Sequence, residues 1–251
     1  VRQVSRHFHR ASIHAHRGAS VTRPENTLAA FVEAQRLGAD AIEFDVHSTL
    51  DGRLVVHHDY NLDRTTNGTG YIHQSTFDYV RGLSAGAWFN AEYQHEQVPM
   101  LEEVLALEDI DFELEVKGLP TQTLLDGIVA AVRQADVESR LEITGFHVVA
   151  VPYLRAQLPR ARFGLFAPKP ESWMTIPLYE DIVRETALTG RFDVVHIPKS
   201  LFQVIDLERL RSAGLRIHCG GVESGAELLF ALHNADQVST PDLATAVAAR
   251  Q

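Results

Sequence analysis

This chain of 251 residues holds a single cysteine, Cys219, so no disulfide can form within it. That fits a reducing compartment, and cytoplasmic residence is the expectation. No stretch has the long unbroken apolar run of a membrane helix, so stable membrane insertion is not expected. The first residues carry Arg2, Arg6, His7, His9 and Arg10 with no apolar segment behind them, which is not the pattern of a secretory signal. Because the chain starts at Val1 rather than methionine, a leader removed ahead of it is compatible with this reading. Positive charge is also scarce: 23 Lys and Arg against 33 Asp and Glu give a formal net charge of −10. Such a chain is a poor partner for nucleic acid or an anionic membrane. No solenoid-period repeat, low-complexity tract or interdomain linker is visible.

What the sequence does contain is an alternation of short β-rich runs with helical stretches. Strands are expected at Ser12–His16, Ala41–His47, Asp111–Val116, Leu141–Phe146, Arg162–Phe166, Asp193–Ile197, Leu215–Cys219 and Gln237–Ser239. Helices are expected at Asn26–Leu37, Leu101–Leu107, Thr121–Gln134, Val148–Gln157, Ile205–Ala213 and Ala226–His233. In the first helix Leu28, Phe31, Val32 and Leu37 form the apolar face. This rhythm points to an α/β fold, a (β/α)8 TIM barrel over the whole of 1–251, with a doubly wound open sheet as the alternative. Residues from about 47 to 99 break the rhythm. A hairpin-like pair turns at Asp51-Gly52, and a loop rich in Asn, Gly and Thr follows. This segment reads as an insertion after the second strand, over the mouth of the barrel.

Four groups of residues carry chemistry. His16-Arg17-Gly18 ends the first strand, where a barrel presents its active face. His16 can exchange a proton near neutral pH, and the planar fork of Arg17 suits phosphate oxygens. Pro24 and Glu25 suit the opening of a helix, and taken alone that plain role is the stronger one. In Ala41–Val46, Glu43 and Asp45 share one face of a strand while Ile42, Phe44 and Val46 share the other. Two acids on one buried face repel each other, and a divalent cation relieves the repulsion. Hard oxygen ligands suit Mg²⁺ or Ca²⁺. A solvated acidic edge is the competing reading. Glu113, Glu115 and Lys117 likewise share a face; Glu115 can complete the carboxylate set, and Lys117 falls near the strand end. Glu113 lies deeper and needs a partner, either Lys117 or the ion. Finally, His58 follows the hairpin and can reach the mouth, His57 has the opposite parity and reads as structural, and Asp59 can orient a histidine or bond Arg64.

Taken in order, these residues resemble the glycerophosphodiester phosphodiesterase family. The matching runs are His16-Arg17-Gly18, Pro24-Glu25-Asn26-Thr27, Glu43-x-Asp45 and Asp51-Gly52 leading to His58-Asp59. Leu62-Asp63-Arg64-Thr65-Thr66, Gly68-x-Gly70, Val98-Pro99-x-Leu101-Glu102-Glu103-Val104-Leu105 and Glu115-x-Lys117 follow. The match is dense from His14 to Gly118 and looser beyond. The resemblance implies the barrel with its insertion, and one divalent cation, Mg²⁺ or Ca²⁺, on Glu43, Asp45 and Glu115. It implies His16 and His58 as general acid and base. Arg17 and Lys117 become phosphate or substrate contacts, and Glu25 a residue at the rim. The implied reaction releases an alcohol and sn-glycerol 3-phosphate from a small phosphodiester.

Two strand ends depart from the family pattern. Gly145-Phe146-His147 stands where a Ser-Phe-Asp-like run is usual, and Gly220-Gly221-Val222-Glu223 where a Trp-Thr-Val-Asn-like run is usual. An aromatic wall is lost on the substrate side, so a wider alcohol pocket is expected. Trp88, Phe89, Phe166, Trp173 and Phe202 are candidates to replace it, though each reads more simply as core. Lys199, His147 and His218 also fall near strand ends, with structural and binding roles equally open, and Cys219 reads as a packing residue. Two other functions compete. One is a related phosphodiesterase acting on a lysophospholipid or a sugar diester, which a substrate panel separates. The other is a catalytically silent binding module, which chelator-sensitive hydrolysis excludes.

Overall fold

The computed structural model describes residues 11–145, 147–223 and 225–250. The basic start and Phe146 therefore lie outside the described residues. The chain runs β1 (Ser12–His16), α1 (Leu28–Arg36), β2 (Ala41–Ser48), β3 (Leu54–Val56), α2 (Phe77–Arg81), α3 (Leu101–Leu105), β4 (Asp111–Val116), α4 (Gln122–Ala135) and β5 (Leu141–Thr144). It continues through α5 (Val151–Gln157), β6 (Arg162–Phe166), α6 (Ile176–Thr189), β7 (Val194–Pro198), α7 (Leu207–Arg211), β8 (Arg216–Gly220), α8 (Gly225–Asn234), β9 (Gln237–Thr240) and α9 (Leu243–Arg250). Eight parallel strands pair in the order β1-β9-β8-β7-β6-β5-β4-β2, and β1 pairs with β2 to close the ring. The closed barrel replaces the open-sheet alternative. β3 lies outside the ring, antiparallel to β2.

Alternation along the strands separates two environments. Ile13, Ala15, Ile42, Phe44, Phe112, Leu114, Phe163, Leu165, Val195 and Ile217 pack in the main apolar cluster with helix residues such as Phe31, Ile128 and Val183. The principal core is thus the layer between sheet and helices. The opposite parity places polar and charged side chains inside the ring. His14 of β1 meets Glu113 of β4, and His196 of β7 meets Glu142 of β5, contacts that cross the barrel because those strands are not neighbours. Barrel interiors are usually filled by branched apolar side chains; here histidines and glutamates take that place.

Helix starts are capped by short hydroxyl or acidic side chains. Thr27, Thr121 and Thr175 each accept a backbone N–H of the first turn, and Asp206 accepts two. Three helices, α2, α6 and α9, fall where the sequence reading named none. Of the face expected for α1, Phe31 is buried and Leu28 and Leu37 pack against the core, but Val32 is 52% exposed; Ala30 and Ala34 complete the buried face.

The segment between β2 and β4 has a small core of its own. Val55, Leu62, Ile72, Val80, Leu83, Ala85 and Val98 cluster there, with Phe77 against them. The hairpin turns at Asp51-Gly52 as expected, with Gly52 at φ +81. Asp51 fastens the turn to α2 by accepting the Phe77 N–H at 2.9 Å. This packing holds His58 in a defined place rather than on a loose loop. Among the described residues, no helix is long and apolar enough to cross a membrane.

Candidate active site

Strand register builds the acidic cluster. His16 stands opposite Glu43, Glu43 opposite Glu113, and Asp45 opposite Glu115. Residues in register on adjacent strands point to the same face, so the carboxylates of β2 and β4 converge at the C-terminal end of the barrel. Glu43, Asp45 and Glu115 are all buried and offer ligand oxygens within 4.8 Å of one another.

The carboxylates of this cluster repel one another. Burial, and then Asp45, Glu113 and Glu115, push the Glu43 carboxyl well above the carboxylate range. Burial and Asp45 push Glu115 up to about 7 although Lys117 donates to it at 2.7 Å. Asp45 is held below the usual range because Lys117, His58, Arg17 and Asn26 outweigh its burial. Its Oδ1 is buried without a hydrogen-bond partner among the described residues, 3.5 Å from the Lys117 ammonium. Three buried carboxylates, one with an unused oxygen, are the donor set that a hard divalent cation takes. The residues fit such an ion.

The loop after β1 is shaped to serve this cluster. Arg17 and Gly18 both have positive φ, +57 and +81, which turns the chain sharply over the barrel mouth. The turn aims the Arg17 backbone N–H at Glu43 Oε2, 2.8 Å away. The guanidinium donates to Glu25 at 3.0 Å and places its Nε 3.7 Å from Asp45. Asn26, also at positive φ, donates to Asp45 Oδ2 at 2.9 Å. The run Pro24–Thr27 is therefore more than a helix start, since Glu25 and Asn26 hold two other site residues.

His16 lies 4.0 Å from Glu43 Oε2. Burial, reinforced by Arg17, lowers its pKa to about 4, so its imidazole is neutral at neutral pH. His58 places Nδ1 2.6 Å from Asp59 Oδ1. Asp59 in turn accepts from Arg64 Nε at 2.7 Å, and the same guanidinium donates to Glu25 at 2.8 and 3.0 Å. One chain of contacts thus runs from His58 through Asp59, Arg64 and Glu25 to Arg17, joining the insertion to the β1 loop. Burial alone would raise Glu25, but the bonds from Arg64 and Arg17 hold it below the usual carboxylate range. The sequence reading left Arg64 as one optional partner of Asp59; its second attachment, to Glu25, had no signal in spacing. His57 is buried with Nε2 3.0 Å from the Asn61 carbonyl, the structural place expected for it.

A cavity of about 310 Å³ opens from this centre toward the ends of β6, β7 and β8. His16, Glu43, Glu113 and Glu115 line one side, and Phe166, Ala167, Pro168, Lys169, Pro198, Gly220 and Gly221 line the other. A Cβ built on Gly220 or Gly221 meets nothing within 4 Å among the described residues, so there is open space where the resemblance led to the expectation of a Trp-Thr-like run. Of the five aromatic candidates, Phe166 alone lines this cavity. Phe202 is buried against Phe230, Trp88 packs on Phe89, and Trp173 is exposed. Lys169, which the sequence reading passed over, lines the wall, whereas Lys199 does not. Cys219 is buried, and its thiol is pushed up to about 12 by that burial, in keeping with a packing role.

Glu113, left without an assigned partner by the sequence, meets histidines. Its Oε2 is 2.5 Å from His14 Nδ1, and His196 and His218 place Nδ1 atoms 3.6 and 3.7 Å from its two oxygens.

A model of the Glycerophosphoryl diester phosphodiesterase family matches residues 16–227. A glycerophosphodiester phosphodiesterase of Caldanaerobacter subterraneus subsp. tengcongensis is 34% identical over 218 residues, which are 80% of this chain and 90% of that protein. Among solved structures, an Oleispira antarctica phosphodiesterase in complex with the product sn-glycerol-3-phosphate superposes with a TM-score of 0.84. It is 26% identical, over 95% of this chain and 96% of that one. A glycerophosphodiester phosphodiesterase of Agrobacterium tumefaciens superposes with a TM-score of 0.77 at 27% identity, over 94% and 99% of the two chains. The sequence agrees over most of the length and the fold over nearly all of it: this chain belongs to the glycerophosphoryl diester phosphodiesterase family.

Proposed function

We propose that this chain hydrolyses glycerophosphodiesters to an alcohol and sn-glycerol 3-phosphate, with one Mg²⁺ or Ca²⁺ held by Glu43, Asp45 and Glu115. The observation that carries the reading is the meeting of these carboxylates with Arg17 and Lys117, beside a cavity that His16, Glu43 and Glu115 line and that is large enough for a small diester. The product held by the Oleispira phosphodiesterase supports the glycerol phosphate half.

When bound, the cation supplies positive charge to the phosphoryl oxygens as negative charge builds on them. Arg17 and Lys117 supply the rest. Both lie beside Asp45, within reach of a phosphate at the carboxylate cluster. The Arg17 fork is pre-set by Glu25, so little ordering is left to do at the moment of reaction. His16, neutral at neutral pH, takes the proton of the attacking hydroxyl, from water or from the substrate's own glycerol. With Nδ1 of His58 bonded to Asp59, Nε2 is the atom left to give a proton to the departing alcohol oxygen. The reading keeps a cytoplasmic place for the enzyme and a small-molecule diester as its partner.

The test is kinetic. Glycerophosphoglycerol, glycerophosphocholine, a lysophospholipid and a sugar phosphodiester are assayed side by side. We expect hydrolysis of at least one glycerophosphodiester that chelator abolishes and Mg²⁺ or Ca²⁺ restores. His16→Ala and His58→Ala each lower kcat by about 10²–10⁴ on the best substrate. Near wild-type turnover in either variant removes that histidine from the mechanism. A preference for the lysophospholipid or sugar diester moves the substrate class, and no hydrolysis of any overturns the reading.

A further inference from the structure

Beneath the three-carboxylate cluster the barrel holds a second group of possible ligands, chemically unlike the first. Glu113, Glu142, His196 and His218 are all buried, and each offers a ligand atom within 4.8 Å of the others. The distances are informative. His196 Nδ1 lies 3.6 Å from Glu113 Oε1, and His218 Nδ1 lies 3.7 Å from Glu113 Oε2. These gaps are too long for hydrogen bonds. They are close to the edge of a tetrahedron around zinc, about 3.4 Å when imidazole nitrogen and carboxylate oxygen sit about 2.1 Å from the metal.

Three further features fit a metal better than a closed hydrogen-bond network. Both ring nitrogens of His218 are buried without a hydrogen-bond partner among the described residues, and the residue is fully buried. A buried polar group left this way is costly. His196 points its other nitrogen, Nε2, at Glu142 Oε1, 3.0 Å away, and Gln237 donates to Glu142 Oε2 at 2.9 Å. A carboxylate on the far nitrogen of a histidine is the usual device for orienting a metal-binding imidazole. The His196 and His218 rings lie 4.0 Å apart, and each turns its Nδ1 toward a different oxygen of Glu113. Gly164 makes room for this pair, since a Cβ there would lie 2.5 Å from His196 Nε2.

We propose that Glu113, His196 and His218 form a second cation site, selective for a borderline-soft ion such as Zn²⁺, with Glu142 and His14 as the outer partners that orient it. Two imidazoles and one carboxylate are a donor set for zinc rather than for Mg²⁺ or Ca²⁺. Glu113, His196 and His218 line the same cavity as His16 and Glu43, so an ion has a path in. The proposal does not depend on the phosphodiesterase reading, because its readout is metal content and ligand type.

The experiment strips the purified protein with chelator. It then offers Zn²⁺ in the presence of excess Mg²⁺, which competes for the carboxylate cluster. We expect one tightly retained Zn²⁺ per chain by elemental analysis, with two imidazole nitrogens in its X-ray absorption spectrum. His196→Ala and His218→Ala should each lose that ion, whereas Glu43→Gln should keep it. Glu142→Gln should weaken zinc retention about 10–100-fold, the usual scale for an outer partner. Retention at the wild-type level in His218→Ala, an all-oxygen spectrum, or no retained zinc overturns the proposal. Should the variants fail to fold, Zn²⁺-soaked wild-type crystals decide the matter by anomalous scattering. A peak among Glu113, His196 and His218 supports the site. A peak only at Glu43, Asp45 and Glu115, or none, removes it.

Discussion

Arg64 shows how much a single side chain off the reacting atoms can hold. Its guanidinium grips Asp59 with one edge and Glu25 with the other, and these acids position His58 and Arg17. We expect Arg64→Ala to lower kcat about 10²-fold, the scale of a misplacement near 1 Å, with a smaller change in KM. Arg64→Lys should rescue only part of it, because an ammonium cannot serve both acids with a planar fork. Equal kcat in wild type and Arg64→Ala would show that the insertion holds His58 unaided. Cys219 gives a test of the opposite kind. With its thiol pushed up to about 12 by burial, almost no thiolate exists at pH 8. Mass spectrometry should find it unalkylated by iodoacetamide in the folded protein and fully alkylated once denatured. At this scale the sequence spoke through parity: Glu43, Asp45 and Glu115 were legible because alternation along a strand puts them on one face. The histidines around Glu113 were not. His14, His196 and His218 come from β1, β7 and β8, and only barrel closure brings them to β4.

Among the elements, the turn from β1 into the first helix carries the most function per residue. Gly18 sits at φ +81, and a Cβ there would lie 2.7 Å from the backbone carbon of Ala30. Neither problem is relieved by a flexible neighbour. Gly18→Ala should therefore destabilise by about 1–3 kcal/mol in chemical denaturation and should lower activity as well, by dragging the Arg17 N–H away from Glu43. A stable, fully active variant would mean that the loop has slack. The elements also show why periodicity found some helices and passed over others. α4 buries a clean apolar stripe of Leu124, Leu125, Ile128, Val129 and Val132 and was read almost to its ends. α6 is equally long, yet its buried face includes Glu180, which accepts the Asp206 N–H and an Arg209 bond, while Leu178 and Leu188 face solvent. Its signal lay in its start, where Thr175 caps and Pro177 occupies the first turn. The hairpin after β2 was legible from Asp51-Gly52, whereas the small core under it is assembled from residues scattered between Val55 and Val98.

For the molecule as a whole, the acidic cluster sets a balance between stability and activity. The Glu43 and Glu115 carboxyls have raised values when folded, Glu115 to about 7, so without a cation these two groups bind more protons in the folded chain than in the unfolded one between about pH 4.5 and pH 7. Stability contributed by these groups then falls as pH rises through that window. Glu43→Gln removes one of the repelling charges and keeps an oxygen for the Arg17 N–H. In chelator at pH 8, we expect its Tm to exceed that of the wild type. With saturating Mg²⁺ or Ca²⁺ the order should reverse. An ion at about 100 times its Kd adds about 2.7 kcal/mol to a chain that can bind it, and the variant lacks one ligand. The same protons must leave when the ion enters, so apparent affinity should rise with pH through about 7, and calorimetry near pH 6.5 should show a binding enthalpy that changes with the buffer's ionisation enthalpy. Buffer-independent heats, or a variant less stable than wild type in chelator, would mean that these carboxylates are already ionised and relieved of their mutual repulsion without the cation.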